Sequence, residues 1–288
     1  MGSFFVHSSQ MDPNQLPTIY KIAQQAAIEA CKEILSIYHL GFDTSDKEDG
    51  SPVTTADLRS SEIISVHLEK TGIPIIGEER KNTPFPERKL WGENWCVDPL
   101  DGTKEFIKRN GEFCVNIAHI ENGKPVFGLI AEPCKGRMIY GGSAFGVYLW
   151  DFENDLNQKG IQEITPIFNL DEDVVWIASR SHESADADWV EKLSKPFRSV
   201  RKTPKGSAIK FFDLALGLAH IYPRFAPTME WDIAAGQAIL EALGGTIIST
   251  ENGQPLNYNK DSLFNPFFVA KTSAFLMREK KFSSLHSI

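Results

Sequence analysis

The run WCVDPLDGTK at residues 95–104 constrains the fold of this chain more than any other stretch. Its apolar start, Trp95 to Val97, predicts the end of a buried strand, and Pro99 biases the preceding Asp98 away from helical backbone geometry. The polar residues from Lys104 to Lys108 then predict the first turn of a helix. The chain must therefore leave a buried strand, turn sharply and enter a helix within this one run.

Two acids bracket this bend, and two more lie at the ends of other predicted elements. Asp98 and Asp101 can face one point across the proline-stiffened bend. Glu78 follows a strand predicted at residues 73–76, and Asp232 lies at the start of a predicted helix. Carboxylate oxygens are the ligands that magnesium, manganese and calcium prefer in proteins. The pattern therefore predicts an all-oxygen site for hard cations.

The bend also carries Gly102 and Thr103, which permit the turn, and the free amide groups of the following helix start would attract an anion. The alternative is that the aspartates only cap a turn, as most Asp-Pro and Asp-Gly pairs do. A further acid at Asp57 and the Trp-Asp pair ending at Asp232 favour the cation site. We therefore expect several cations and one phosphate to bind together here.

The composition fits an enzyme that binds phosphate and argues against a protein that binds a nucleic-acid duplex. The chain has 288 residues, of which 42% are hydrophobic, enough for one large or two intermediate cores. Its net charge is -8 and its isoelectric point is near 5.5, whereas a duplex binder would present a basic face. The negative charge of a phosphate substrate must therefore be neutralised locally, by metal ions and a few Lys or Arg side chains.

The cysteines and the N-terminal residues indicate in which cellular compartment the protein is expected. Cys31, Cys96, Cys114 and Cys134 form no metal-binding pattern and are expected to be small buried side chains in a reducing compartment. The start MGSFFVHSSQ has neither the basic region nor the apolar length of a signal peptide, and no later stretch approaches a transmembrane segment. We predict a cytoplasmic protein and leave peripheral association with the inner face of the membrane open.

Residues 1–165 predict an α+β domain that carries most of the acids. Between its predicted helices, the polar loop at residues 43–51 is expected to be mobile. Hydrophobic periodicity and turn residues predict an amphipathic helix from Ile19 to Tyr38, a helix from Ala56 to Lys70 capped by Thr54 or Thr55, and two β-hairpins that pair residues 113–120 with 124–133 and residues 137–142 with 146–150.

Residues 166–288 predict a smaller α/β domain in which strands and helices alternate, and residues from Arg278 onward are expected to be a loose tail. The predicted strands are residues 174–178, 220–225, 246–249 and 267–270, and the predicted helices are residues 186–193, 207–218 and 232–243.

Three segments carry a resemblance to a known family: GEER at residues 77–80, DPLDGTKEFIKRNGEF at 98–113 and EWD at 230–232. The chain resembles the inositol monophosphatase superfamily of lithium-sensitive, magnesium-dependent phosphatases and, within it, the bacterial 3'(2'),5'-bisphosphate nucleotidases. The likeness runs from about Ile19 to Phe268. It implies a layered fold of the α+β or α/β type, an alternating αβαβα sandwich with an antiparallel N-terminal sheet and a smaller C-terminal α/β part.

The resemblance also implies a ligand set for two or three Mg²⁺ ions. Glu78, Asp98 and the backbone carbonyl of Leu100 would hold one ion, and Asp98, Asp101 and Asp232 would hold another, so that Asp98 bridges the two. A third ion near Glu78 is a further implication. The neighbouring Glu79 either supports the cation ligands from behind or is simply exposed, and it is expected to point away from Glu78, because side chains alternate at the end of a strand.

Three residues are implied to be catalytic, namely Asp57, Thr103 and Glu78. Thr103 would orient the attacking water, and Asp57 would accept the proton of the threonine hydroxyl. The residues alone favour Asp57 as an acid that stabilises the first turn of a helix, and the resemblance reverses this preference. The scattered histidines, His119 and His220 among them, are interpreted as surface or core side chains.

Substrate choice is implied by departures from the inositol phosphatase pattern. Those relatives commonly carry Thr-Asn-Phe where this chain has Lys104-Glu105-Phe106, and a lysine there suits a second phosphate. Ser179, His182, Gly206 and Lys210 would contact the adenosine monophosphate part, although a strand exit and a helix cap explain them equally well. The full set of implied substrate contacts is Glu78, Leu100, Asp101, Gly102, Thr103, Lys104, Ser179, His182, Gly206, Lys210 and Asp232.

The implied activity is Mg²⁺-dependent removal of the 3'-phosphate of adenosine 3',5'-bisphosphate, giving AMP and phosphate in sulfur assimilation. 3'-Phosphoadenylyl sulfate is a further implied substrate. The alternatives are an inositol monophosphatase or fructose-1,6-bisphosphatase with the same metal site, and a catalytically silent nucleotide or metal sensor. Whether the protein is a monomer or a homodimer stays open.

Overall fold

The computed structural model of the protein describes residues 16–48, 50–155, 158–165, 173–179 and 199–285. Its α-helices are α1 (Thr18–Leu40), α2 (Thr55–Leu68), α3 (Phe85–Arg88), α4 (Thr103–Ile107), α5 (Lys210–Ala215), α6 (Glu230–Ala242) and α7 (Ser273–Leu285). Its strands are β1 (Thr44–Asp46), β2 (Pro52–Thr54), β3 (Ile75–Gly77), β4 (Glu93–Asp101), β5 (Cys114–Glu121), β6 (Lys124–Glu132), β7 (Arg137–Gly142), β8 (Gly146–Asp151), β9 (Gln162–Glu163), β10 (Val174–Ser179), β11 (Val200–Lys205), β12 (Ile221–Arg224), β13 (Thr246–Ser249) and β14 (Phe268–Lys271).

A seven-stranded sheet in the order β3-β4-β5-β6-β7-β8-β9 carries most of the predicted acids. β3 runs parallel to β4, and every later neighbour in this sheet is antiparallel, which confirms the predicted meander. Helices α1 and α2 cover one face, where the Tyr20 ring stacks on Phe127 with 4.0 Å between centroids and meets Trp95 edge-on. This aromatic contact anchors α1 over the strands that lead to the acids.

The second sheet has five strands in the order β11-β10-β12-β14-β13. Alternation along β10 divides its side chains between two cores. Val175 and Ile177 face the core that also holds α5 and α6, whereas Val174 and Trp176 pack with Phe275 of α7. Strand alternation therefore places helices on both faces of this sheet.

Helix α6 lies between the two sheets and contacts β5 and β6 on one side and β13 on the other. The approach to the first sheet is so close that a methyl group at Gly128 would clash with the carbonyl oxygen of Ala235. Only glycine fits there, because any Cβ would push the helix off the strand. The layers thus follow the predicted order of helix, sheet, helix, sheet and helix.

Several local predictions need correction. The loop at residues 43–51 was expected to be mobile, but it contains β1 and its turn into β2, with Ser45 opposite Val53. One of its charges has partners, since Lys47 forms ion pairs with Glu78 and Glu79. The tail beyond Arg278 is not loose from that point, because α7 continues to Leu285.

Two more differences concern the second sheet. The helix predicted at residues 207–218 forms only from Lys210 to Ala215, because residues 206–209 make a turn. Strand β11 was not predicted, because its sequence, VRKTPK, is mostly exposed and lacks apolar alternation. The helix predicted at residues 186–193 lies outside the described residues, and so does residue 166, where the second domain was predicted to begin.

Among the helices of the described residues, none combines the length and apolar character that crossing a bilayer requires.

Candidate active site

A β-bulge brings the two aspartates of the bend to one side of the sheet. Asp98 lies opposite Asn116, and Asp101 lies opposite Cys114, so β4 has one more residue than β5 between these pairs. Strict alternation would turn Asp98 and Asp101 to opposite faces, and a one-residue bulge corrects this. Pro99 is tolerated within the bulge because its missing N–H breaks no regular ladder there.

The bulge is held by hydrogen bonds on both sides. The backbone N–H of Leu100 donates to Oδ1 of Asp98 over 3.0 Å, and the hydroxyl of Ser60 on α2 donates to the carbonyl oxygen of Pro99 over 2.7 Å. Gly102 follows with a φ of 97°, and a Cβ there would lie 2.9 Å from the carbonyl oxygen of Glu112. The turn into α4 therefore requires glycine at this position.

Asp57 and Thr103 meet although they lie on different helices. The hydroxyl of Thr103 donates to Oδ1 of Asp57 over 2.9 Å. The other oxygen of Asp57 accepts the backbone N–H of Thr54 over 2.8 Å and the Thr54 hydroxyl over 2.5 Å. Asp57 is thus both the capping-box acid of α2 and the partner of Thr103. The capping interpretation is confirmed, and the contact with Thr103 leaves the catalytic role of Asp57 a prediction.

Asp232 enters the site from the start of α6. The backbone N–H of Met229 donates to its Oδ2 over 2.8 Å, which fixes the side chain at the helix N-terminus. Glu230, two residues earlier, is fully buried, accepts the backbone N–H of Asn259 over 2.7 Å and forms an ion pair with Lys260. Of these two acids, Asp232 belongs to the site and Glu230 anchors the loop behind it.

The predicted acids are close enough to perturb one another. Burial, followed by the charges of Glu78, Asp101 and Asp232, raises the pKa of Asp98 well above its usual range. Asp98 is only 1% exposed. Burial and then the charges of Asp101 and Glu78 raise the pKa of Asp232 in the same way. Several carboxylates share one poorly solvated space, and each makes the ionised form of the others costly.

Asp101 is the best-compensated member of the group. Burial raises its pKa to about 6, although the nearby Lys210 and two hydrogen bonds lower it. The backbone N–H of Ala208 donates to its Oδ2 over 2.5 Å, and the side-chain amide of Asn116 lies 3.3 Å from the same oxygen. Neither Ala208 nor Asn116 was predicted from the sequence, since nothing in their local pattern marks a contact across the sheet.

These residues fit a site for hard divalent cations. The donors are carboxylate oxygens and the backbone carbonyl of Leu100, and their mutual repulsion is what a bound cation would relieve. No three of the four acids bring one oxygen each within 4.8 Å of one another. Elsewhere, one oxygen each of Glu93 and Glu121 and a ring nitrogen of His119 lie that close. The four acids, Glu78, Asp98, Asp101 and Asp232, are therefore close enough for their charges to interact without forming a compact ligand shell for one ion.

A lysine from the β1–β2 turn reaches this space. Nζ of Lys47 lies 2.7 Å from a carboxylate oxygen of Glu78 and 2.5 Å from one of Glu79. The expectation that Glu79 points away from Glu78 was therefore wrong. β3 ends at Gly77, so the two glutamates lie beyond the strand, where alternation no longer applies. The sequence did not indicate Lys47, and Glu79 is not the simply exposed side chain that was one of its two alternatives.

A cavity of about 210 Å³ opens beside Asp101 and Asp232. Three cations line it, namely Lys104, Lys210 and Arg224. Burial lowers the pKa of Lys210 to about 8, although the charge of Asp101 acts to raise it. Because these cations share one lining with Asp101 and Asp232, the cavity is suited to an anion that also touches the cation site.

The remaining predicted contacts are placed as follows. Gly206 and Lys210 line the cavity, in the turn and at the first residue of α5. Ser179 ends β10 opposite Lys205, and His182 lies outside the described residues. The structure therefore brings Gly206 and Lys210 to the acid group and does not describe how His182 relates to it.

The cluster of Glu93, His119 and Glu121 differs from this site. The Nδ1 atom of His119 lies 3.1 Å from the Tyr20 hydroxyl, and Nε2 lies 3.0 Å from Glu93. Both ring nitrogens are thus engaged, and the ring is buried beneath α1. This agrees with the interpretation of His119 as a core side chain, and the Nδ1 atom of His220 similarly accepts the backbone N–H of Val175 over 3.0 Å.

The chain matches the model of the inositol monophosphatase family over residues 15–278. The chain belongs to the inositol monophosphatase family. Phosphatases of this family are generally metal-dependent, in agreement with the acid group. The predicted family and fold are thereby confirmed.

Several relatives that resemble this chain within the family share the name CysQ. The 3'(2'),5'-bisphosphate nucleotidase CysQ of Shigella flexneri is 39% identical over 250 residues, covering 85% of this chain and 96% of the relative. The CysQ of Escherichia coli K12 gives the same identity and coverage. The crystal structure of CysQ from Bacteroides thetaiotaomicron, a bacterial member of the family, superposes with a TM-score of 0.78 at 36% identity, covering 90% of this chain and 99% of that one.

Proposed function

We propose that this protein is a Mg²⁺-dependent 3'(2'),5'-bisphosphate nucleotidase. It removes the 3'-phosphate of adenosine 3',5'-bisphosphate to give AMP and phosphate, and it acts on 3'-phosphoadenylyl sulfate in the same way during sulfur assimilation. The CysQ relatives, which match over 85% of the chain, support this substrate class. The observation that carries the proposal is that the acid group, the Thr103–Asp57 pair and a cation-lined cavity lie next to one another.

The acid group supplies the cation ligands of the proposed enzyme. Glu78, Asp98 and the Leu100 carbonyl would hold one Mg²⁺, and Asp98, Asp101 and Asp232 another, with a third ion near Glu78. When bound, such ions neutralise charge on the transferring phosphate, lower the pKa of a bound water and stabilise the leaving oxygen. The mutual repulsion of these acids supports this assignment, because it disfavours the group without a cation.

Thr103 and Asp57 position and deprotonate the nucleophile in this proposal. The Thr103 hydroxyl donates to Asp57, so its oxygen lone pairs are free to accept a proton from water. Asp57 then takes up the threonine proton while it remains fixed by Thr54. Burial raises the pKa of Asp57, although its hydrogen bonds act to lower it, which makes the carboxylate a better base than an exposed aspartate.

The backbone amides of Gly102 and Thr103 would bind the scissile phosphate, since the first amides of a helix have no partner within it. Lys104, Lys210 and Arg224 would bind the second phosphate of the substrate. Nζ of Lys210 donates to the carbonyl oxygen of Ser207 over 2.7 Å, which aims this buried ammonium along the cavity wall. A substrate with two phosphates uses both ends of the site, and a monophosphate uses only one.

Phosphate release tests the proposal. The purified protein is assayed with Mg²⁺ on adenosine 3',5'-bisphosphate, an inositol monophosphate and fructose 1,6-bisphosphate side by side. We expect the highest kcat/KM on the nucleotide and no release without a divalent cation. A preference for the inositol or fructose compound would replace the proposal with the corresponding phosphatase. Nucleotide binding without any turnover would instead indicate a silent sensor.

A further inference from the structure

One carboxylate in the cavity wall has no place in the proposed function so far. Glu105 lines the cavity together with Lys104, Lys210 and Arg224. A negative charge beside a ligand with two phosphates weakens its binding. A hydrogen-bond donor on the ligand, which a carboxylate favours, would compensate for this repulsion.

The fold makes room for Glu105 at this position. A Cβ on Gly206 would lie 2.9 Å from Cγ of Glu105, so glycine at 206 lets the glutamate side chain pack against the turn. The same turn is fixed from behind, because the backbone N–H of Gly206 donates to Oε2 of Glu112 over 2.8 Å. It also delivers the Ala208 amide to Asp101. The Glu105 stem thus lies against the segment that supports the metal-binding acid.

The carboxylate of Glu105 is available to a ligand. Within the described ranges it forms no hydrogen bond or ion pair, and its recorded interaction is the charge that it exerts on Lys210. Lys210 is itself only 5% exposed and directs its proton to the carbonyl oxygen of Ser207. An ionised acceptor without a protein donor forms strong hydrogen bonds to O–H or N–H groups.

We propose that Glu105 accepts a hydrogen bond from the ribose 2'-hydroxyl of the nucleotide and so selects ribose over groups that lack this donor. The inference rests on the proposed function. Glu105 lines the same cavity as Gly102, whose backbone amide would bind the reacting phosphate in that proposal. On the substrate, the 2'-hydroxyl is the donor next to the 3'-phosphate. A ligand whose 3'-phosphate is bound at Gly102 therefore brings its 2'-hydroxyl into the cavity that Glu105 lines.

The test compares kcat/KM on adenosine 3',5'-bisphosphate, its 2'-deoxy analogue and inosine 3',5'-bisphosphate. The variants are Glu105→Met, which keeps the length but removes the acceptor, and Glu105→Gln, which keeps a neutral acceptor. Glu87→Met, an exposed glutamate outside the cavity, is the matched control. We expect the wild type to prefer the ribose compound over its 2'-deoxy analogue by about ten-fold or more, Glu105→Met to reduce this ratio to about two-fold, and Glu105→Gln to fall between.

A second readout separates recognition from disruption of the cavity. Loss of the negative charge should leave inhibition by inorganic phosphate unchanged or make it tighter, whereas a collapsed cavity would weaken it. An unchanged ribose-to-deoxyribose ratio in Glu105→Met overturns the inference, and so does a loss of discrimination between adenosine and inosine instead. A wild-type protein that does not hydrolyse adenosine 3',5'-bisphosphate at all contradicts the proposed function rather than this step.

Discussion

Nζ of Lys47 donates to Oε1 of Glu78 over 2.7 Å and so links the β1–β2 turn to an acid of the proposed metal site. Both side chains are largely shielded, with exposed fractions of 22% for Lys47 and 27% for Glu78. An ammonium group and a divalent cation compete for the same carboxylate oxygen because each needs its lone pairs. Lys47 is therefore positioned as an internal competitor of one cation.

Replacing Lys47 by methionine should tighten binding of a divalent cation by about five-fold, since the competing hydrogen bond is worth roughly 1 kcal/mol. The same variant should unfold at a lower temperature without added metal, because Glu78 and Glu79 then repel each other. Calorimetric titration with Mn²⁺ measures the first effect. Lys32→Met, at an exposed position on α1, is the control, and cation binding that is equal or weaker in Lys47→Met would contradict the competition.

Asp98→Asn should abolish turnover while stabilising the protein without metal. Asp98 is the most buried of the four acids, and the charges of Glu78, Asp101 and Asp232 raise its pKa. We expect phosphate release to fall by at least about 10²- to 10³-fold, the usual loss when one main electrostatic stabiliser is removed. The melting temperature without metal should rise by a few degrees, roughly 2–4 °C per kcal/mol. Retained activity in this variant would remove Asp98 from the mechanism.

Thr103→Val should lower kcat by about 10²- to 10⁴-fold without weakening Mg²⁺ binding, because the variant removes the hydroxyl that bridges to Asp57 and no cation ligand. Thr103→Ser keeps the hydroxyl and should retain most of the activity. Steady-state kinetics at saturating Mg²⁺ separates kcat from KM. If Thr103→Val and Thr103→Ser turned over at the same rate, the hydroxyl would have no part in catalysis.

The stability of the metal-free protein should fall as pH rises. Burial and repulsion raise the pKa values of Asp98 and Asp232, and burial raises that of Asp101 to about 6, so the folded state holds protons that the unfolded state has released. Stability that depends on those protons is present at low pH and lost as pH passes through the raised values. Melting temperatures with and without Mg²⁺ at pH 5 and 8 measure this.

Mg²⁺ should stabilise the protein more at pH 8 than at pH 5, because protons compete with the cation for the same carboxylates. The variants Asp98→Asn and Asp101→Asn should flatten the pH dependence of the metal-free protein relative to the wild type. A wild-type stability that rises more steeply with pH than that of the two variants would show that these acids are ionised without strain.

Much of the first sheet followed from local sequence. The amphipathic pattern from Ile19 to Tyr38 predicted α1, and the turn at Glu121-Asn122-Gly123 predicted the β5–β6 hairpin, because both patterns act through neighbouring residues. Contacts between elements that are distant in sequence were not predictable in the same way. The Ala208 amide bonds Asp101 from 107 positions away, and no periodicity encodes such a contact.

In the site, too, local features were predictable from the sequence and contacts between distant segments were not. Asp98 and Asp101 were recognisable from their bend, but the reason that they share a face is a bulge defined by the partner strand β5. Glu79 was expected to turn away because strand alternation was extended to Glu78 and Glu79, two residues beyond the end of β3 at Gly77. Lys47 was hidden in a polar stretch whose composition is typical of a mobile loop, since an ion pair with a distant glutamate leaves no mark in the local sequence.

The central claim is that Glu78, Asp98, Asp101 and Asp232 hold divalent cations together. Anomalous diffraction from crystals soaked in Mn²⁺ tests it most directly. The account predicts at least two manganese peaks within ligand distance of these carboxylates, one of them shared through Asp98. Manganese peaks elsewhere on the molecule and none at these four acids would contradict it.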